Sequence, residues 1–203
     1  MPLLERPLTL GFVWGLCTGN WAQSLGVSLF FELLWLDIFP AGTVIPPNPL
    51  APVLASLAAV SYFGVTKPVL AALIMLLALP LGGIFAWIER WHRHYENDAH
   101  TRLMRWAKSP EHALGPVQLV RRSALLLFCV NMAAFAVVLA CLMALTHILL
   151  PRVAPFIQDI PLKWPHLWGV AGIGAVLSLR YRPAYAVLLL GAGLTLVGRL
   201  LAW

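Results

Sequence analysis

The residues best suited to chemistry in this chain are polar groups set among apolar neighbours. Glu32 sits in Leu29-Phe30-Phe31-Glu32-Leu33-Leu34-Trp35-Leu36. A carboxylate at the centre of a membrane helix costs about 2.5–3.5 kcal/mol by insertion scales, so such a residue usually has a task. Two tasks suit it. It can accept hydrogen bonds from the hydroxyls of a polar solute, or it can pin the proline-rich stretch that follows to its own helix, and the two roles can coexist. Ser28, four residues back, shares its helical face. Asn20, after Gly19, and Asn48, in Ile45-Pro46-Pro47-Asn48-Pro49, each carry amide donors and an acceptor. Both match hydroxyl groups, and both equally suit backbone groups freed at a helix break. Asp37, just past the helix, reads as an interfacial charge.

Other polar residues point to no chemistry. His92, His94, Asp98 and His100 fit no structural zinc spacing and read as a solvated face. No metal and no cofactor are expected. His147 reads as interfacial, and Asn131 as a hydrogen-bonding group toward a neighbouring helix. Cys17, Cys129 and Cys141 form no C-x-x-C and read as small core residues. There is no P-loop, dinucleotide fingerprint, G-x-S-x-G or H-E-x-x-H, so no catalysis by this chain alone is expected.

The elements that position these residues follow from composition. The chain is 61% hydrophobic and 11% charged, against about 45–50% and about 25% in soluble domains. With a mean hydropathy of +0.83, it reads as an all-α membrane protein, a multi-span helical bundle with broken or re-entrant segments, in one domain over 1–203. Leu8 to Leu36 is too long for one span and is interrupted at Gly19-Asn20, which predicts two helical pieces. Asp37 to Pro52 is too rich in proline for a regular helix, and non-helical backbone at membrane depth must be buried in protein or line a cavity. Leu54 to Phe63 is short and reads as re-entrant. Spans are expected from Lys67 to about Ile88, bent near Pro80, and from Ser123 to Leu150. Pro151 to Pro165 reads as a connection, followed by a short Gly-rich segment and a last apolar one from Tyr185.

Net charge is +6. The cations gather at about 89–122, which the positive-inside rule makes a basic cytoplasmic loop rather than a nucleic-acid surface. Trp87, Trp91, Tyr95 and Trp106 would anchor its ends at the lipid boundary. The apolar N-terminal run lacks an A-x-A-like site and reads as a retained segment.

Several motifs together resemble one family. Arg6-Pro7-Leu8, Gly19-Asn20, Phe31-Glu32-Leu33, Gly42-Thr43-Val44-Ile45-Pro46-Pro47-Asn48 and Leu54-Ala55-Ser56-Leu57-Ala58 look like the enzyme IIC subunit of the mannose/fructose/sorbose family of the bacterial phosphoenolpyruvate-dependent sugar phosphotransferase system. The match is good over 5–62, and beyond that only the layout is similar. The resemblance implies a multi-pass subunit of the bacterial inner membrane that moves a hexose-type sugar. It would work with a IID membrane subunit, while soluble IIA and IIB relay phosphate. Glu32 matches the family's helical glutamate, and Gly42, Thr43, Ile45 and Asn48 fall in the loop expected to line the sugar site. Asn20 and Asn48 stand where the family usually has Asp, which exchanges charged acceptors for weaker neutral ones. The chain starts close to the R-P-L segment and reads as a short variant. A transporting subunit and a non-transporting regulatory or assembly subunit of the same descent are both open at this point, as is a homo-oligomer.

Overall fold

A computed structural model describes residues 6–36, 46–108 and 116–178, with 185, 187–189 and 191 beyond. Regular structure among them is helical throughout. The order is α1 (Pro7–Thr18), α2 (Trp21–Leu34), α3 (Leu50–Tyr62), α4 (Pro68–Lys108), α5 (Pro116–Ile157) and α6 (Trp164–Ser178). The all-α membrane class expected from composition is what the chain adopts.

Local chemistry sets the breaks. Pro7 and Pro68 open α1 and α4, where a missing N–H costs nothing. Gly19, at φ 74°, ends α1 and donates its N–H to Gly15 O at 2.8 Å. Gly64, at φ 59°, ends α3 in a Schellman arrangement. There Val65 N reaches Val60 O at 3.0 Å and Gly64 N reaches Ser61 O at 3.3 Å.

Two helices are long and apolar enough to cross a bilayer, over Pro68–His94 and Val120–Ile157. The pieces α1, α2 and α3 have 12, 14 and 13 residues. At 1.5 Å per residue they reach roughly 18–21 Å, short of a hydrocarbon core about 30 Å thick. They are the broken pieces that the interruption at Gly19-Asn20 and the short Leu54–Phe63 run predict.

The core lies where these short helices meet α4. Val27 and Phe31 of α2, Val53 and Leu57 of α3, and Ile74 and Met75 of α4 are all buried there. Small residues let α1 and α2 close tightly. A Cβ on Gly11 would overlap Ser28 Oγ and come within 2.7 Å of Ser24 O, and one on Gly15 would lie 2.9 Å from the Trp21 ring. This is the close approach that a Gly-xxx-Gly face permits between membrane helices. On the other side of α2, a Cβ on Gly26 would lie 2.5 Å from the Trp164 ring. Trp168 Nε1 donates to Gly26 O at 3.1 Å, which ties α6 to α2.

Several expectations are corrected. The basic region at 89–122 is largely helical, because α4 continues to Lys108 and α5 begins at Pro116. The proline connection begins later than expected, since α5 carries Pro151 and Pro155 inside it and ends at Ile157. His92 is buried at 3% exposure rather than solvated. The three cysteines are exposed on the protein's outer surface, not in its core. Asn131 Nδ2 donates to Leu127 O of its own helix at 2.9 Å. Trp87 and Trp91 are exposed, as interfacial anchors should be.

Candidate functional site

Glu32 lies near the end of α2, and its carboxylate faces the start of α1. Oε1 accepts from Arg6 Nη1 at 2.9 Å, and Oε2 accepts from the Leu8 backbone N–H at 3.2 Å. The first N–H groups of a helix have no partner within it, and they carry the positive end of its dipole. A carboxylate there is stabilised by both features and by the Arg6 guanidinium. Residues 37–45 of the proline-rich stretch, expected to be pinned by Glu32, lie outside the described residues. Among the described residues Glu32 holds the beginning of α1. Its side chain is 16% exposed and that of Arg6 is 40% exposed, so the pair sits at the rim of the packed core.

Asn48 belongs to the same end of the molecule. Its Oδ1 accepts from Leu50 N at 2.9 Å and more weakly from Ala51 N at 3.4 Å, which caps α3 in the manner of an N-terminal Asx. Its backbone N–H donates to Gly82 O in α4 at 3.0 Å. Gly82 is the floor of this corner, since a Cβ there would stand 3.2 Å from Asn48 O and 3.4 Å from the Trp35 ring. Trp35 stacks on Phe31, with centroids 5.2 Å apart, one turn from Glu32. Trp35, Asn48 and Gly82 thus meet at one corner, where α2 ends, α3 begins and α4 passes, and Glu32 lies three residues before Trp35 in the chain. The Nδ2 of Asn48 has no hydrogen-bond partner among the described residues. Gly42, Thr43 and Ile45, expected in the solute-binding loop, lie outside the described residues, as does Asp37.

Asn20 is not at this corner. It precedes α2, twelve positions before Glu32, which is roughly 18 Å along a helix. Gln23 Nε2 donates to Thr66 O at 3.3 Å, and Trp14 Nε1 to Ser61 Oγ at 3.0 Å. These bonds hold the α1–α2 tip against the α3–α4 turn, at the end of the bundle opposite the basic region. Asn20 and Glu32 are therefore not brought together by the fold of α2.

The depth of the corner follows from α4. Gly82 precedes Arg90 by eight residues, about 12 Å of helix. Gly82 thus lies inside the apolar stretch of α4, which runs over Pro68–His94, rather than at either end of it. Such a place can present a charged acceptor, an amide and an indole face to a polar solute. Sequence reasoning missed Arg6 as the partner of Glu32, and it missed Trp35 and Gly82. The pairing spans 26 positions, and no local pattern announces it. Among the described residues no group of three His, Cys, Asp or Glu could hold a metal ion.

Comparison with curated proteins and with solved structures gives no match. A protein family does match, over residues 2–177. It carries the likeness seen over 5–62 through α4 and α5 and to the end of α6. On this coverage the chain belongs to the family of the sorbose-specific IIC component of the phosphotransferase system, the membrane-integral sugar-transport components of that system.

Proposed function

We propose that this chain is the sugar-translocating IIC subunit of a mannose/fructose/sorbose-type phosphotransferase system, multi-pass in a bacterial inner membrane. The reading is supported by membership of the IIC family together with Glu32, a carboxylate set in the apolar helix α2 and engaged by Arg6 and the Leu8 N–H. A hexose binds there through hydroxyl donors to Glu32, amide contacts with Asn48 and a ring face on Trp35. Gly42, Thr43 and Ile45, which the family resemblance assigns to the sugar site, add further contacts to the hexose. The IID subunit completes the path, and IIA and IIB supply the phosphoryl group, so this chain catalyses nothing alone.

A second reading has a specific observation in its favour. Arg6 and Leu8 N–H already engage the Glu32 carboxylate, and amides occupy the two usual Asp positions. On that reading the chain is a regulatory or assembly subunit. Uptake of labelled hexose as its phosphate separates the two, in a strain that carries IIA, IIB and IID with or without this chain. The transporting reading expects at least a tenfold loss of phosphorylated sugar without the chain. Unchanged uptake, with only the amount of IID altered, would replace it by the second.

A further inference from the structure

One face of α5 has the layout of a lipid. Gln118, Arg121 and Arg122 occupy its first turns, and Leu125, Leu126, Cys129 and Val130 follow. These residues recur at spacings of three and four, so they form a single stripe along the helix, and together they line a shallow groove. The polar part comes first and the apolar part extends toward the bilayer centre. From Arg122 to Val130 is roughly 12 Å of helix, which fits inside one leaflet of a core about 30 Å thick. Protein does not cover this face, since only 6% of the apolar stretch of α5 is buried. Neither arginine has an acidic partner among the described residues, whose ion pairs are Arg6–Glu32 and Arg93–Glu89. Two guanidiniums with no acidic partner among the described residues, set above an apolar groove, are complementary to a phosphodiester carrying acyl chains.

We infer that this groove binds one anionic phospholipid of the leaflet that faces the basic region, with the phosphate on Arg121 and Arg122 and an acyl chain along Leu125, Leu126 and Cys129. The inference is independent of the sugar reading. Arginine forks suit phosphate oxygens, and each basic residue at an anionic membrane surface is worth on the order of fivefold in affinity.

The test is native mass spectrometry of the full chain released from detergent, titrated with phosphatidylglycerol or phosphatidylcholine of matched chains. One phosphatidylglycerol should bind at least tenfold tighter than phosphatidylcholine. Arg121→Gln with Arg122→Gln should erase that preference. Cys129→Trp keeps both charges, fills the groove and should weaken phosphatidylglycerol several-fold. Glycerophosphoglycerol, a headgroup without chains, should not compete. Equal binding of the two lipids overturns the site. So does full retention in Cys129→Trp, or displacement by the chainless headgroup, since either would reduce it to surface charge.

Discussion

Replacing Gly11 by leucine should strongly destabilise the folded protein, whereas the same change at Gly83 should leave it intact. A Cβ on Gly11 meets Ser28 Oγ and the Ser24 carbonyl oxygen. The second is backbone and cannot rotate away, so α1 must lift off α2. Overpacking a well-filled site costs about 1–3 kcal/mol. Here the cost is at the high end, because the Gly15–Trp21 contact and the Glu32 bonds to Arg6 and Leu8 N–H hold α1 against α2 on both sides of Gly11. Lifting α1 also withdraws Leu8 N–H and Arg6 from Glu32. Gly83 has open space where its Cβ would be, and leucine favours a helix over glycine by roughly 0.8 kcal/mol. Membrane-inserted yield and thermal unfolding in detergent should separate the two variants clearly. Equal behaviour would mean that α1 and α2 do not pack as described.

The second large effect concerns Arg6 and Glu32. Glu32→Gln should lower phosphorylating uptake at least tenfold at matched membrane abundance, because a neutral amide is a weaker acceptor for sugar hydroxyls. It should also destabilise the chain by about 1.5–3 kcal/mol, the usual worth of a hydrogen bond to a charged group. Arg6→Gln leaves the carboxylate in place without its countercharge and should destabilise by a similar amount. The exchanged pair, Arg6→Glu with Glu32→Arg, separates the two roles. It restores an ion pair between the same positions, so unfolding temperature and abundance recover in part. Uptake does not recover, because a guanidinium now occupies the acceptor's place and donates where the sugar also donates. Recovery of uptake with the exchanged pair would make Glu32 a structural residue only.

What could be read from the sequence depended on the range of the interaction. Chain breaks are local. Gly19-Asn20 separates α1 from α2, and the apolar runs of α4 and α5 are visible in hydropathy alone. Glu32 could be singled out because the cost of a carboxylate among Phe31, Leu33 and Leu34 is a property of its neighbours. The partner of that carboxylate could not, since Arg6 reaches it only once α1 folds back on α2. The same limit applies to Gly82, whose missing Cβ matters only because Trp35 and Asn48 arrive there from other elements. Polarity misled in two places. The charges of 89–108 read as a loop, yet Glu89 and Arg93 pair four residues apart at 2.6 Å and suit an exposed helix. Pro151 and Pro155 read as the end of a helix, yet α5 runs to Ile157. The distance of Asn20 from Glu32 was likewise set by α2, the helix between them, which is roughly 18 Å long over those twelve positions.

The account stands or falls on where sugar binds. The direct measurement is a structure of the chain with its IID partner and a transported hexose. The hexose should lie within hydrogen-bond distance of Glu32 and Asn48, with Trp35 against its ring and Asn20 remote from it. A hexose held elsewhere, with Glu32 still closed on Arg6 and Leu8 N–H, would contradict the account.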